Sequence, residues 1–200
     1  MPLLRWQMPH VSLCSLVFVD DNLAGKKVNG QAVLSFDDFV SFRAEDKAIA
    51  LAVADSAVRE KVATRCIEAN LAFFDVSAGS VMRMDDVVVG EGALLSPNVV
   101  LTSNIVIGKH FHANINSYVE HDCVIGDFVT FAPGVQCNGN VHIGDGAYLG
   151  AGAMIRQGRS GSPLRIGKGA VVGMGAVVLS DVPDGMTVVG NPALITQPKQ

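Results

Sequence analysis

From Val89 onward the chain repeats every six residues. Val89, Leu95, Leu101, Ile107, Ala113, Val119, Ile125, Phe131, Cys137, Ile143, Leu149 and Ile155 are all apolar. Twelve apolar hits in twelve have a chance of roughly 1 in 4,000 if about half of all residues are apolar. The positions four later, from Ala93 to Ala153, are small or β-branched except Phe111. Arg159 ends that second series. The phase resumes at Ile166, Val172 and Val178, so five extra residues lie within the polar stretch from Arg156 to Arg165.

A period of six matches neither a helix nor a plain strand. It fits one face of a triangular prism, with about 18 residues per coil, whose apolar face is buried only by stacking on its neighbours. The expected fold is a left-handed parallel β-helix of hexapeptide repeats. The glycine that follows many of the aliphatic residues (Gly90, Gly108, Gly126, Gly144) is expected to serve tight backbone geometry at the corners.

Before the repeat, the periods change every dozen residues. Leu13 to Asp20 reads as a strand, Phe36 to Phe42 as a short helix and Ala48 to Ala54 as a buried strand. Ser56 to Asn70 reads as a helix capped by Asp55 or Ser56, and Leu71 to Asp75 as a strand. Asp21-Asn22, Gly25 and Asn29-Gly30 mark turns. The alternation predicts a small parallel α/β unit. Two domains are expected, 1–80 and 81–200.

Composition narrows the function. The mean hydropathy of +0.35 is high, yet the longest apolar run is the seven residues from Ala48 to Ala54; a membrane helix needs about 20. Residues 1–10 lack a basic segment followed by an apolar core, so no signal peptide is expected and the cytoplasm is the expected compartment. A net charge of -4 argues against nucleic-acid binding. Cys14, Cys66, Cys123 and Cys137 form no CxxC pair and read as reduced, small hydrophobic residues.

Five histidines could do chemistry: His10, His110, His112, His121 and His142. His121 sits near a corner of its unit and is followed by Asp122, the right type of residue to orient an imidazole. The His spacings from 110 onward, 2, 9 and 21, do not suit a three-histidine zinc site on such a prism, and no metal is expected. A non-catalytic scaffold or binding module is the remaining alternative to an enzyme.

The stretch from Asn98 to Ala193 resembles the sugar O-/N-acyltransferases of the sialic-acid O-acetyltransferase type, which include nucleotide-amino-sugar N-acetyltransferases. The segments that carry the resemblance include His110-Phe-His-Ala-Asn114, Val119-Glu-His-Asp-Cys-Val-Ile-Gly126, Phe131-Ala-Pro-Gly134, Gly173-Met-Gly-Ala-Val-Val178 and Gly190-Asn-Pro-Ala193. Phe18-Val-Asp-Asp-Asn22 and Gly25 to Gly30 are similar to that family's small nucleotide-sugar domain. That domain opens with a strand and a glycine-rich loop absent here, so either a truncated Rossmann-like unit or a different mode of diphosphate binding is expected.

The resemblance implies acetyl transfer from acetyl-CoA to the amino group of a nucleotide-linked amino sugar, a 4-amino-4,6-dideoxyhexose, in bacterial surface glycan synthesis; sugar O-acetylation is the alternative. It implies His121 as base and Asp122 as its partner. It places His112, Asn114, Asp20 and Asp21 at the acceptor, although a plain structural reading of His110 and His112 stands beside it. It places Gly150, Gly152, Arg156, Lys168, Gly173, Gly175 and Pro192 at the coenzyme, in a homotrimer with sites between subunits. Core packing for Phe131 and a turn at Pro133-Gly134 stand against a role near the thioester.

Overall fold

Each six-residue unit contributes a short strand and a corner, and three units close one coil. The computed structural model describes residue 4, residues 16–44 and residues 46–196. His10, Cys14 and the start of the expected strand at Leu13 lie outside the described residues. Three sheets form the prism, of six, five and eight strands, parallel throughout except that the last strand of the eight pairs antiparallel with its neighbour. Sheet I runs from Met82–Arg83 to Val177–Val178, sheet II from Val87–Val89 to Leu164–Ile166, and sheet III from Val76–Ser77 to Leu194–Thr196. The ladder therefore starts at Val76, upstream of the first apolar residue of the traced period.

Register follows the repeat. Val100 pairs with Tyr118, Tyr118 with Gln136 and Gln136 with Met154, each 18 residues apart. Met154 then pairs with Val177, 23 residues on, which accounts for the five inserted residues. Two side chains per unit point inward, and the six-residue series from Leu95 to Ile155, which runs round all three sheets, is buried throughout, as are Ala93, Val135 and Ala153. Burying each such aliphatic contributes about 1.5–3 kcal/mol, and the prism interior is too narrow for many rings. Phe111 and Phe131 are the two that fit, edge to face at 5.2 Å.

The glycines after the aliphatic residues have a different role from the one expected. A Cβ on Gly90 would lie 2.7 Å from the backbone of Gly108, and one on Gly150 2.6 Å from the Met174 nitrogen. These glycines let coils stack closely. The left-handed backbone falls two positions later, at Asn98, Asn104, His110, Asn116, Asp122, Phe128 and Asn140 as well as at Gly92, Gly134 and Gly152. Asn and Asp tolerate that conformation because their short polar side chains bond locally.

The N-terminal unit contains β1 (Phe18–Val19), β2 (Lys27–Val28), β3 (Gln31–Leu34), α1 (Phe36–Ser41), β4 (Ala48–Ile49), α2 (Ser56–Glu68) and β5 (Ala72–Phe73). Asn29 and Gly30 both have positive φ and close a two-residue hairpin between β2 and β3. Ser35 caps α1 and Asp55 caps α2. Two parallel pairs are present, β1 with β3 and β4 with β5, but in two separate sheets, and β2 and β3 fall where only turns were expected. The strand expected over Ala48–Ala54 stops at Ile49. Beyond it, the carbonyls of Val53 and Ala54 accept hydrogen bonds from the Arg59 side chain, and that of Ala54 also from the Thr130 hydroxyl, rather than joining a backbone ladder.

Arg59 joins the unit to the prism. It is fully buried, and its second terminal nitrogen donates to the Phe128 carbonyl at 2.6 Å and the Thr130 hydroxyl at 2.9 Å. Burial lowers its pKa to about 10, so the guanidinium stays charged at neutral pH and neutral oxygens solvate it. Phe36, Leu51, Ala63, Cys66 and Leu71 form a second apolar core, against which Phe128 of the prism packs. No described helix is long and apolar enough to cross a membrane.

Candidate active site

The corner between sheets I and II carries the chemistry. Tyr118–Val119 ends on sheet I, Val124–Ile125 begins on sheet II, and His121-Asp122 turns between them. Neighbouring coils clamp that peptide. The Asp122 nitrogen donates to the Ser103 carbonyl at 3.1 Å, and the Asn140 nitrogen donates to the His121 carbonyl at 2.7 Å. Asp122 takes φ +57°, and the two side chains turn back on each other.

His121 Nδ1 lies 2.7 Å from Asp122 Oδ2. An ionised carboxylate only accepts, so Nδ1 carries the hydrogen and Nε2 is left with its lone pair. Asp122 raises the pKa of His121 above its ordinary value, chiefly through this hydrogen bond. The same bond, followed by one from Asn104, holds the Asp122 carboxyl below the usual range. Asn104 donates its amide to Asp122 Oδ1 at 3.1 Å. The imidazole lies over Gly139 one coil further on, where a Cβ would fall 2.5 Å from Nε2. His121 remains substantially exposed, with 43% of its side chain accessible.

The inserted segment rises from the same corner. Gly158 donates to the Gly139 carbonyl at 3.0 Å, Leu164 to the Asn140 carbonyl at 3.2 Å, and the Asn140 amide to the Arg159 carbonyl. Arg159 and Ser162 exchange backbone hydrogen bonds across a short loop. The two interruptions of the repeat, the His121-Asp122 corner and the Arg156–Arg165 segment, therefore stack along one edge.

The other sequence candidates are dispersed. His110 and His112 turn to one side, beneath the N-terminal unit, and both are buried. His110 packs edge-on to Phe73 at 4.6 Å and stacks on Phe128 at 5.0 Å. Burial lowers the pKa of His110. Burial first, and the Arg59 charge second, push that of His112 down to about 3. Asn114 is exposed at the far end of its strand. Asp20 caps its own turn through the nitrogens of Asn22 and Leu23. Asp21 accepts from the Phe36 nitrogen at 2.7 Å and pairs with Arg65 at 2.8 Å, so both its oxygens serve the fold.

Among the coenzyme candidates, Gly152 and Gly175 are left-handed and open, with no atom within 4 Å of a Cβ, at the corner between sheets III and I. Gly150 and Gly173 are closed over by neighbouring residues. Arg156 is exposed on the His121 side, whereas Lys168 lies 3.8 Å from Asp145 at the corner between sheets II and III. Pro192 follows a cis peptide bond in the C-terminal tail. Phe131 is core and Gly134 a left-handed turn. Gly139 and Asn104 were not among the sequence candidates. The 18-residue coil could have found them, since it places Gly139 one coil after His121 and Asn104 one coil before Asp122.

A parallel β-helix of hexapeptide repeats with an oriented imidazole at an exposed corner defines a hexapeptide-repeat acetyltransferase. No protein-family model matches the chain. It is 49% identical over 179 residues to a GDP-perosamine N-acetyltransferase of Escherichia coli O157:H7, covering 90% of this chain and 81% of that one. The solved structure of WeeI from Acinetobacter baumannii AYE superposes with a TM-score of 0.96 at 55% identity, covering 98% of this chain and 92% of that chain. The acetyltransferase domain of PglB from Neisseria gonorrhoeae FA1090, solved in complex with acetyl coenzyme A, superposes with a TM-score of 0.79 at 29% identity, covering 90% and 85%. The chain belongs to the hexapeptide-repeat sugar N-acetyltransferases. Its reaction moves the acetyl group of acetyl-CoA to the amino group of a nucleotide-linked amino sugar.

Proposed function

We propose that the acceptor is GDP-perosamine, a 4-amino-4,6-dideoxyhexose linked to GDP, and that His121 is the base. The 49% identity to the Escherichia coli GDP-perosamine N-acetyltransferase supports the acceptor. The 2.7 Å bond from His121 Nδ1 to Asp122 carries the mechanism. Nδ1 is committed to the carboxylate, so Nε2 is the nitrogen free to accept a proton.

Acetyl-CoA supplies an electrophilic thioester carbonyl. The sugar amine attacks that carbon while His121 Nε2 takes one amine proton. Asp122 stabilises the imidazolium that results. As the tetrahedral adduct collapses, the carbon–sulfur bond breaks, and His121 returns its proton to the departing thiolate. The products are the acetamido sugar and CoA.

Gly152 and Gly175 present open backbone at one corner, which suits a slender arm lying along the coil; Gly150 and Gly173 shape coil stacking. Arg156 and Lys168 are the basic residues proposed for the coenzyme's phosphates, and Pro192 is the C-terminal tail's contribution. These residues are spread over different corners of one chain. That spread supports a homotrimer in which a groove between two subunits draws on both. His112, Asn114, Asp20 and Asp21 belong to the acceptor side in this reading; Asn114, Asp20 and Asp21 are exposed and His112 is buried. Residues 1–80 then act as a Rossmann-like nucleotide-sugar unit and 81–200 as a left-handed acyltransfer prism, working in the cytoplasm.

Release of free thiol tests the reading. With acetyl-CoA, GDP-perosamine should give turnover well above UDP- or dTDP-linked amino sugars. Equal or faster turnover with either of those would overturn the acceptor assignment. Absence of CoA release with every amino sugar would favour a binding module.

A further inference from the structure

The corner residues of successive coils form ladders, and two of them can be compared directly. At the corner between sheets III and I, the Asn98 amide donates to Asn116 Oδ1 at 3.1 Å. At the corner between sheets I and II, the Asn104 amide donates to Asp122 Oδ1, also at 3.1 Å. All four residues have left-handed φ, between 57° and 62°. As supports for the coil the two rungs are equivalent, but their surroundings differ. The residue before Asn116 is Ile115, exposed and without titratable chemistry. The residue before Asp122 is His121, held by the other carboxylate oxygen at 2.7 Å.

A carboxylate bonded through one oxygen rotates about its terminal torsion, which is broad and shallow. With Oδ1 held from the preceding coil and Oδ2 on the imidazole, the plane of Asp122 is fixed at both ends. The Asp122 nitrogen is also tied to the Ser103 carbonyl, next to Asn104. We propose that Asn104 is a positioning residue for the transfer reaction, acting through Asp122 to hold the orientation of His121. This rests on His121 being the base. An amide suits position 104 because it donates without adding charge, whereas a second carboxylate there would repel Asp122.

Glycine is the right truncation at these positions, because it accepts φ near +57° without strain. Asn104→Gly should lower kcat by about 5- to 20-fold and leave KM for acetyl-CoA and the nucleotide sugar within about twofold. Asn98→Gly removes the matching rung and should shift the melting temperature to a similar extent, with kcat unchanged. Asp122→Gly should cost more than Asn104→Gly, and the double variant should fall no more than about twofold below Asp122→Gly, since both act through one contact. The proposal is overturned if the Asn104→Gly factor recurs in full on the Asp122→Gly background, if Asn104→Gly keeps wild-type kcat, or if Asn98→Gly loses as much kcat as Asn104→Gly. Failure of the base assignment reads differently. There His121→Ala and Asp122→Gly both keep kcat, whereas failure of the relay leaves those two damaged and Asn104→Gly alone intact.

Discussion

Two corners of one prism each carry an imidazole, and their fates are opposite. His110 sits at the corner between sheets II and III, covered by Phe73 and Phe128, and burial lowers its pKa. His121 sits at the corner between sheets I and II, open to solvent, and Asp122 raises its pKa. The backbone frame is shared: His110 takes φ +54° and Asp122 +57°. What differs is the cover. The N-terminal unit docks on the first corner through Arg59, the Ser56 hydroxyl on the Gly146 carbonyl, and the Phe73 ring edge-on to His110. The second corner is left to an Asn, an Asp, a Gly and a loop. A repeat protein of this kind supplies equivalent corners, and chemistry resides at the corner whose polar groups face solvent while holding one another.

Breaking each corner in turn sharpens that contrast. His121→Ala should lower kcat by about 10² or more, the upper range being set by loss of general-base catalysis, with little change in melting temperature because the side chain is exposed. Arg59→Leu acts on the other corner. It strands the carbonyls of Val53 and Phe128, while the Ala54 carbonyl keeps the Thr130 hydroxyl as a donor, and should cost about 2–4 kcal/mol in urea denaturation. Gly139→Ala brings a methyl group onto His121 Nε2. It should lower kcat by about tenfold while stability holds, since a small displacement of a catalytic group is enough. His110→Phe should be the mildest, within about 1 kcal/mol of wild type. His110 Nδ1 is buried without a hydrogen-bond partner, and Phe128 shows that a phenyl ring tolerates this corner. A loss of kcat in His110→Phe comparable to that in His121→Ala would erase the distinction between the two corners.

Much of the prism is legible in sequence because its period is strict. The inward residues, the coil length and the five-residue insertion follow from counting, and the insertion appears in the structure as a jump from 18 to 23 in strand register. Which glycines serve close approach and which serve left-handed backbone is not legible from the residue type, since both demands select glycine. His121 and Asp122 stand out as an adjacent pair that the fold brings into contact. Asn104 and Gly139 do not stand out, because they touch the pair only across coils. Arg59 is hidden for a different reason. It lies in an ordinary helix, and the oxygens that bury its charge come partly from Phe128 and Thr130, 69 and 71 residues away.

The central claim is that the neutral imidazole of His121, oriented by Asp122, accepts the proton. The pH dependence of kcat for wild type and Asp122→Asn tests it most directly. A base must be unprotonated, so kcat should fall as pH drops through the His121 pKa, which Asp122 holds above the ordinary imidazole value. In Asp122→Asn the charge that favours the imidazolium is gone. Its acidic limb should therefore move to lower pH while the plateau kcat drops. An acidic limb that stays in place, with an undiminished plateau, would contradict the account.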